Sequence, residues 1–167
     1  MSMAKAMLRR STLRPVTTDF HALADGLTAA VPLVATIGME YVDISPTRAV
    51  VRLPDRADLH NHVGGPHAGI MFALGETASG AVVLANFMDL MDRVTPLAAA
   101  ADIRYLAVAK GEVTAEARLD ADRATILAEL EDGKTPKFTV AVTITDESGT
   151  QTGEMNVRWA LKPHRIG

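Results

Sequence analysis

The spacing of apolar residues changes several times along the chain, and each change marks a new element. From Asp19 to about Ala30, Leu23 and Leu27 stand one turn apart, which predicts a helix. Thr17 or Thr18 offers a hydroxyl cap for it, and Pro32 helps to end it. VATIGMEYVDIS (34–45) is rich in β-branched residues and reads as a strand broken by Pro46. In RAVVRLP (48–54), Arg48, Val50 and Arg52 share one parity and Ala49, Val51 and Leu53 the other. That alternation predicts a strand with one solvated face. DRADLHNHVGGP (55–66) is polar and turn-rich, so it reads as a loop.

A long helix is expected from His67 to about Met88, with Pro66 at its start, where proline is tolerated. Strand patterns return after Pro96. LAAAADIRYLAVA (97–109) and EVTAEARLDA (112–121) are followed by KFTVAVTITD (137–146) and GTQTGEMNVRWALKP (149–163). Asp146-Glu147-Ser148-Gly149 suits a hairpin connection between the last two. RATILAELEDGKTP (123–136) fits either strand or helix. The order is a short helix, two strands, one long helix and about four strands. An α+β fold satisfies it, with a mostly antiparallel sheet wrapped around one apolar helix.

The stretch Ile70–Met88 is long enough to span a bilayer, but Glu76 lies well inside it, and Asp89 and Asp92 follow. It therefore reads as a buried helix of a soluble protein. The 167 residues suit one domain. The chain has no cysteine, which excludes disulfides, thiolate metal sites and a cysteine nucleophile. A net charge of -3 argues against a nucleic-acid backbone as the main partner. The basic first residues lack an apolar core segment, so a secretory signal is not expected and the cytoplasm is the expected location.

Candidate chemistry concentrates in Asn61-His62-Val63-Gly64-Gly65-Pro66-His67-Ala68-Gly69 and in Glu76. Glu76 stands among Ala73, Leu74, Ala78 and Val82, and a buried carboxylate must be paired, hydrated or protonated. It reads either as a structural acid or as a functional one. Gly64 and Gly65 allow a tight turn, and the free N–H groups at the following helix start can stabilise an oxyanion. The same residues also suit an ordinary glycine loop. His60, His62 and His67 raise a metal question, but His67 and Glu76 are about two and a half turns apart, too far to share one ion within a chain. No metal and no cofactor is expected. There is no Gly-x-Ser-x-Gly elbow, phosphate loop or dinucleotide fingerprint.

The motif N-x-x-G-G-x-H-A-G, followed by a carboxylate nine residues after the histidine in LGETASG, resembles the hotdog-fold thioesterases, in particular the PaaI-like acyl-CoA thioesterase group. DIRYLAVAKGEVTAEARL is similar to that family's strand pair, and VAVTITDESGTQTGEMNVRW to its final hairpin. The likeness covers roughly residues 33–162. It implies a hotdog fold over residues 33–167, preceded by an N-terminal extension and short helix at 1–32. It also implies a homodimer, or a dimer of dimers, with sites at the subunit interface and no nucleic-acid or membrane partner.

By the same resemblance, Glu76 is the catalytic carboxylate, as general base or nucleophile on an acyl-CoA thioester. Asn61 orients water or substrate, and the amide of Ala68, with Gly69 next, polarises the carbonyl. His67 shapes the turn and contacts substrate. Gly65 and Thr77 join the substrate site. The family often reads His-Gly-Gly where this chain has His67-Ala68-Gly69, and the backbone N–H survives that change. Arg104, Lys110, Arg118, Arg123 and Lys137 are the candidate cations for CoA phosphates, with none assigned. Two alternatives remain: a non-catalytic acyl-thioester-binding hotdog protein, and a hotdog enoyl hydratase or dehydratase. The D-x-N-P-x-H signature of the latter is absent.

Overall fold

The computed structural model describes residues 19–164; the basic N-terminal segment, with Thr17 and Thr18, lies outside them. Helix α1 (Phe20–Ala30) is capped by Asp19, whose carboxylate accepts the His21 N–H at 3.0 Å. Pro32 does not simply end this helix. It occupies the first turn of a second one, α2 (Pro32–Ile37), which Gly38 closes in the left-handed conformation at φ 79°. The strand expected from residue 34 is therefore shortened to β1 (Glu40–Ile44). Val34 and Ile37 are buried in the core from the helix instead. Local β propensity gave way to a proline that fixes helical φ and a glycine that stops the turn.

Strand β2 (Arg48–Leu53) precedes the polar loop, and the long helix α3 runs over Ala68–Phe87. Then come β3 (Val94–Tyr105), β4 (Val113–Arg118), β5 (Lys137–Asp146) and β6 (Gln151–Pro163). The ambiguous segment is helix α4 (Arg123–Glu131), capped by Asp122, which accepts from Ala124 N–H at 3.1 Å. The strands form one antiparallel sheet in the order β1-β2-β4-β5-β6-β3, and α3 lies across it. This is the hotdog fold.

Alternation along the strands explains the packing. Val51 and Leu53, Val113 and Ala115, Val140 and Val142, and Met155 and Val157 are all buried. Helix α3 answers with Leu74, Ala78, Val82 and Phe87. Small residues let it approach: a Cβ on Gly75 would stand 2.7 Å from the Met155 sulfur. By length and composition α3 is apolar enough to cross a membrane, yet nine of its twenty residues are buried within the domain. It serves here as a core helix.

Candidate active site

The loop before α3 is built by its own hydrogen bonds. The Asn61 side chain accepts from Val63 N–H at 2.9 Å and from Gly65 N–H at 3.4 Å, and donates to the Pro66 carbonyl at 3.2 Å. Its backbone N–H donates to the Gly65 carbonyl at 2.8 Å, and Gly64 turns the chain at φ 82°. Gly65 is required by space: a Cβ there would meet the Ala109 carbonyl oxygen at 2.5 Å. His67 caps α3, its Nδ1 accepting the Gly69 N–H at 3.0 Å. The Gly69 amide is thereby occupied. The Ala68 N–H has no acceptor among the described residues, so it is the amide at this helix start left to a ligand. Tyr105, at the end of β3, donates its hydroxyl to the Ala68 carbonyl at 2.9 Å and pins the helix start to the sheet.

Asn61, Gly65 and Ala68 line one cavity of about 380 Å³, together with Met71 and Tyr105. Its rim is apolar and open, with Val63 and Val108 more than half exposed at 56% and 57%. Glu76 does not enter that cavity. With Thr77 it lines a second, smaller one of about 110 Å³, beside Tyr41, Gly80 and Trp159. Eight residues of helix separate Ala68 from Glu76, about 12 Å along the axis. Asn61 and Glu76 thus lie in two separate cavities of the chain, and His67 and Gly69 line neither.

The Glu76 carboxylate is half-buried and has no ion pair or hydrogen bond among the described residues. Burial therefore holds its carboxyl above the ordinary carboxylate range. Tyr41 is pushed up to about 12, by burial first and by the neighbouring Glu76 charge second. The floor beneath is rigid: Ser79 donates to the Glu76 carbonyl at 2.7 Å and accepts from the Trp159 indole at 3.1 Å. The arrangement can supply a raised-pKa base in one cavity and a free amide in the other.

Reading the motif alone missed Tyr41, Tyr105 and Trp159. A signal for them existed, because a chain with two tyrosines and one tryptophan places all three at these cavities. Among the cation candidates, Arg104 pairs with Glu154, Arg118 with Glu116 and Arg123 with Asp89. Lys110 and Lys137 form no ion pair among the described residues, and Lys110 follows Ala109 at the rim of the Asn61 cavity. His60 pairs with Asp55 at 2.6 Å.

Residues 20–161 match the family described as "Domain of unknown function (DUF4442)". The chain belongs to the DUF4442 family. That match begins inside the segment expected to be an extension, so α1 falls within the family's own boundaries. Among proteins with a curated function, none matches this DUF4442 chain. Several solved structures do. The Pseudomonas aeruginosa protein PA5026, described as a "Protein of Unknown Function" and "Probable Thioesterase", is 27% identical, with a TM-score of 0.77 over 86% of this chain and 95% of that one. AziG of S. sahachiroi is 25% identical, with a TM-score of 0.65 over 80% and 98%. A thioesterase family protein from Silicibacter pomeroyi is 17% identical, with a TM-score of 0.70 over 87% and 100%, a likeness of fold. The fold, and the likeness to the probable thioesterase PA5026, agree with the hotdog-fold thioesterases that the motif resembles.

Proposed function

We propose that this protein hydrolyses an acyl-CoA thioester to the free acid and CoA, with Glu76 as the catalytic carboxylate. The observation that carries this reading is an acid left without a partner in a half-buried cavity of a thioesterase-like fold. A raised pKa makes a carboxylate a better base near neutral pH. As general base, Glu76 takes a proton from water while the oxygen adds to the thioester carbonyl. The Ala68 N–H, with the positive end of α3 behind it, stabilises the resulting oxyanion. The C–S bond then breaks, and the sulfur leaves with the proton that Glu76 returns. As nucleophile, Glu76 would instead form an anhydride that water cleaves.

The two separate cavities, read as half-sites, call for a second copy of the chain. In this reading Glu76 of one protomer faces Asn61 and Ala68 of its partner. Strand β3 supports the pairing. It is twelve residues long, its hydrogen-bonded neighbour is β6, and its other edge has no partner among the described residues. Leu97 is 46% exposed, and Ala98 to Ala101 are exposed beside it. From Leu97 to Ala101 this edge is apolar and uncharged, and an exposed apolar edge is a template for another strand. Lys110, at the cavity rim, would meet a CoA phosphate. A reducing cytoplasm accompanies this reading and suits a chain without cysteine.

The test is release of free thiol from a panel of acyl-CoA thioesters, against no background because the protein has no thiol of its own. Wild type should turn over at least one class of acyl-CoA. Ligand-induced stabilisation without thiol release would make it a binding protein instead. Mixed dimers test the shared site: Glu76→Gln and Asn61→Ala, each inactive alone, should regain activity when co-folded, since one intact composite site forms. No recovery would place both residues' work in a single protomer.

A further inference from the structure

We propose that α1 and the second half of α3 form the acyl-chain groove of this enzyme, sized for an unbranched aliphatic chain of roughly a dozen carbons. The inference rests on the thioesterase reading above and adds the substrate class. A cavity of about 380 Å³ lies between the two helices, lined by Leu23, Gly26 and Leu27 on one side and Leu84, Met88 and Met91 on the other. Leu27 and Leu84 also line the Glu76 cavity, so the two spaces adjoin along α3. Positions 76, 80 and 84 recur every four residues on one face of α3, with Glu76 at its head, and Met88 follows at the end of the helix.

Length and chemistry both point to an alkyl occupant. From Glu76 to the end of α3 at Phe87 is about 16 Å along the axis at the usual helical rise, and Met88 lies just beyond. An extended alkyl chain advances about 1.3 Å per methylene, given a 1.5 Å bond at a tetrahedral angle. The side chains along the groove are apolar, apart from Asp19 at the start of α1. Polar side chains enter only at the other end, where Tyr41 and Thr77 stand beside Glu76. Met88 and Met91 are flexible enough to fit chains of neighbouring lengths.

Gly26 is the independent observation. It sits in the middle of α1, where glycine is less favourable to the helix than alanine. Its φ is not positive, and a Cβ built there would meet nothing within 4 Å. Neither backbone geometry nor close packing calls for glycine. Gly26 lines the groove among the described residues, and a bulky side chain at this position would reach into it.

The experiment pairs binding with turnover, in the full-length protein. Non-hydrolysable butyl-CoA and dodecyl-CoA thioethers are titrated by calorimetry, and butanoyl-CoA and dodecanoyl-CoA hydrolysis is followed by thiol release. In wild type, dodecyl-CoA should bind at least tenfold more tightly than butyl-CoA. Gly26→Phe should abolish that preference and lower the dodecanoyl-to-butanoyl ratio of kcat/KM at least tenfold. Met88→Trp, at an exposed position, should lower the same ratio and serves if Gly26→Phe does not fold. Equal affinity for both thioethers in wild type, or an unchanged ratio in both variants, overturns the groove. So does a change in oligomeric state at constant ratio, which would assign the groove to a second copy. A dodecyl preference removed by Gly26→Phe, without any thiol release, would uphold the groove and defeat the thioesterase reading. Thiol release without chain preference would do the reverse.

Discussion

Glu116 on the sheet and Glu76 on the core helix carry the same carboxyl group into opposite surroundings. Glu116 accepts from Arg48 at 2.7 and 3.0 Å and pairs with Arg118 at 2.6 Å, which holds its carboxyl below the ordinary range. Glu76 has no such partner, and burial drives it the other way. Elsewhere the chain pairs its acids readily, as with Asp43 and Arg48 or Glu40 and Arg52. An acid left alone in a cavity therefore stands out as a group held in a reactive state at some cost in stability.

The largest effect should separate the two acids by activity. Glu76→Gln should lower kcat/KM for acyl-CoA at least about 100-fold, the low end for a positioned acid or base. Glu116→Gln should stay within about twofold. Equal losses would erase the distinction and point to a shared structural cause. The pH profile belongs to the same test: kcat/KM should rise as Glu76 ionises, above the ordinary value of 4.5.

Gly65→Ala comes next. Its new Cβ would press on the Ala109 carbonyl at 2.5 Å, so unfolding in urea should show a loss of about 1–3 kcal/mol. Filling the open side of Gly26 should bring no such loss, which contrasts a glycine needed for packing with one needed for space.

The smallest effect sharpens the comparison most. Because the folded-state pKa of Glu76 is raised, its contribution to stability is full below the unfolded value near 4.5 and is lost as pH climbs through the raised one. Glu76→Gln should therefore gain on wild type as pH rises toward neutral. Glu116 runs oppositely: its contribution is present above 4.5 and lost as pH falls through the lowered value. Glu116→Gln should lose less than about 1 kcal/mol at neutral pH, and the gap should close in acid and in salt. Melting curves across pH should thus show slopes of opposite sign, and parallel slopes would refute the assigned environments.

Most of the fold was legible because β4 and most of β5 alternate cleanly and α3 is apolar on nearly every face. The hairpin at Asp146–Gly149 and the start of α3 at His67 follow from local turn and cap chemistry. Residues 34–37 misled, since Val34, Thr36 and Ile37 favour strand locally while Pro32 and Gly38 enforce a helix. At the site, the motif pointed to Asn61, Ala68 and Glu76, but not to their separation into two cavities. It also passed over Tyr41 and Trp159, which come from distant strands.

By itself, the order of residues determined the long helix, most of the strands and the faces they bury, and that one acid must sit inside an apolar helix. These are properties of neighbours in sequence, set by the periods of helix and strand. Only the tertiary structure decided that this acid has no partner, that the Ala68 amide stays free while Gly69 is capped, and that α1 leaves a groove beside Gly26. Apart from the local His67 cap on Gly69, each of those depends on what residues far apart in the chain place, or fail to place, within a few ångströms of one another.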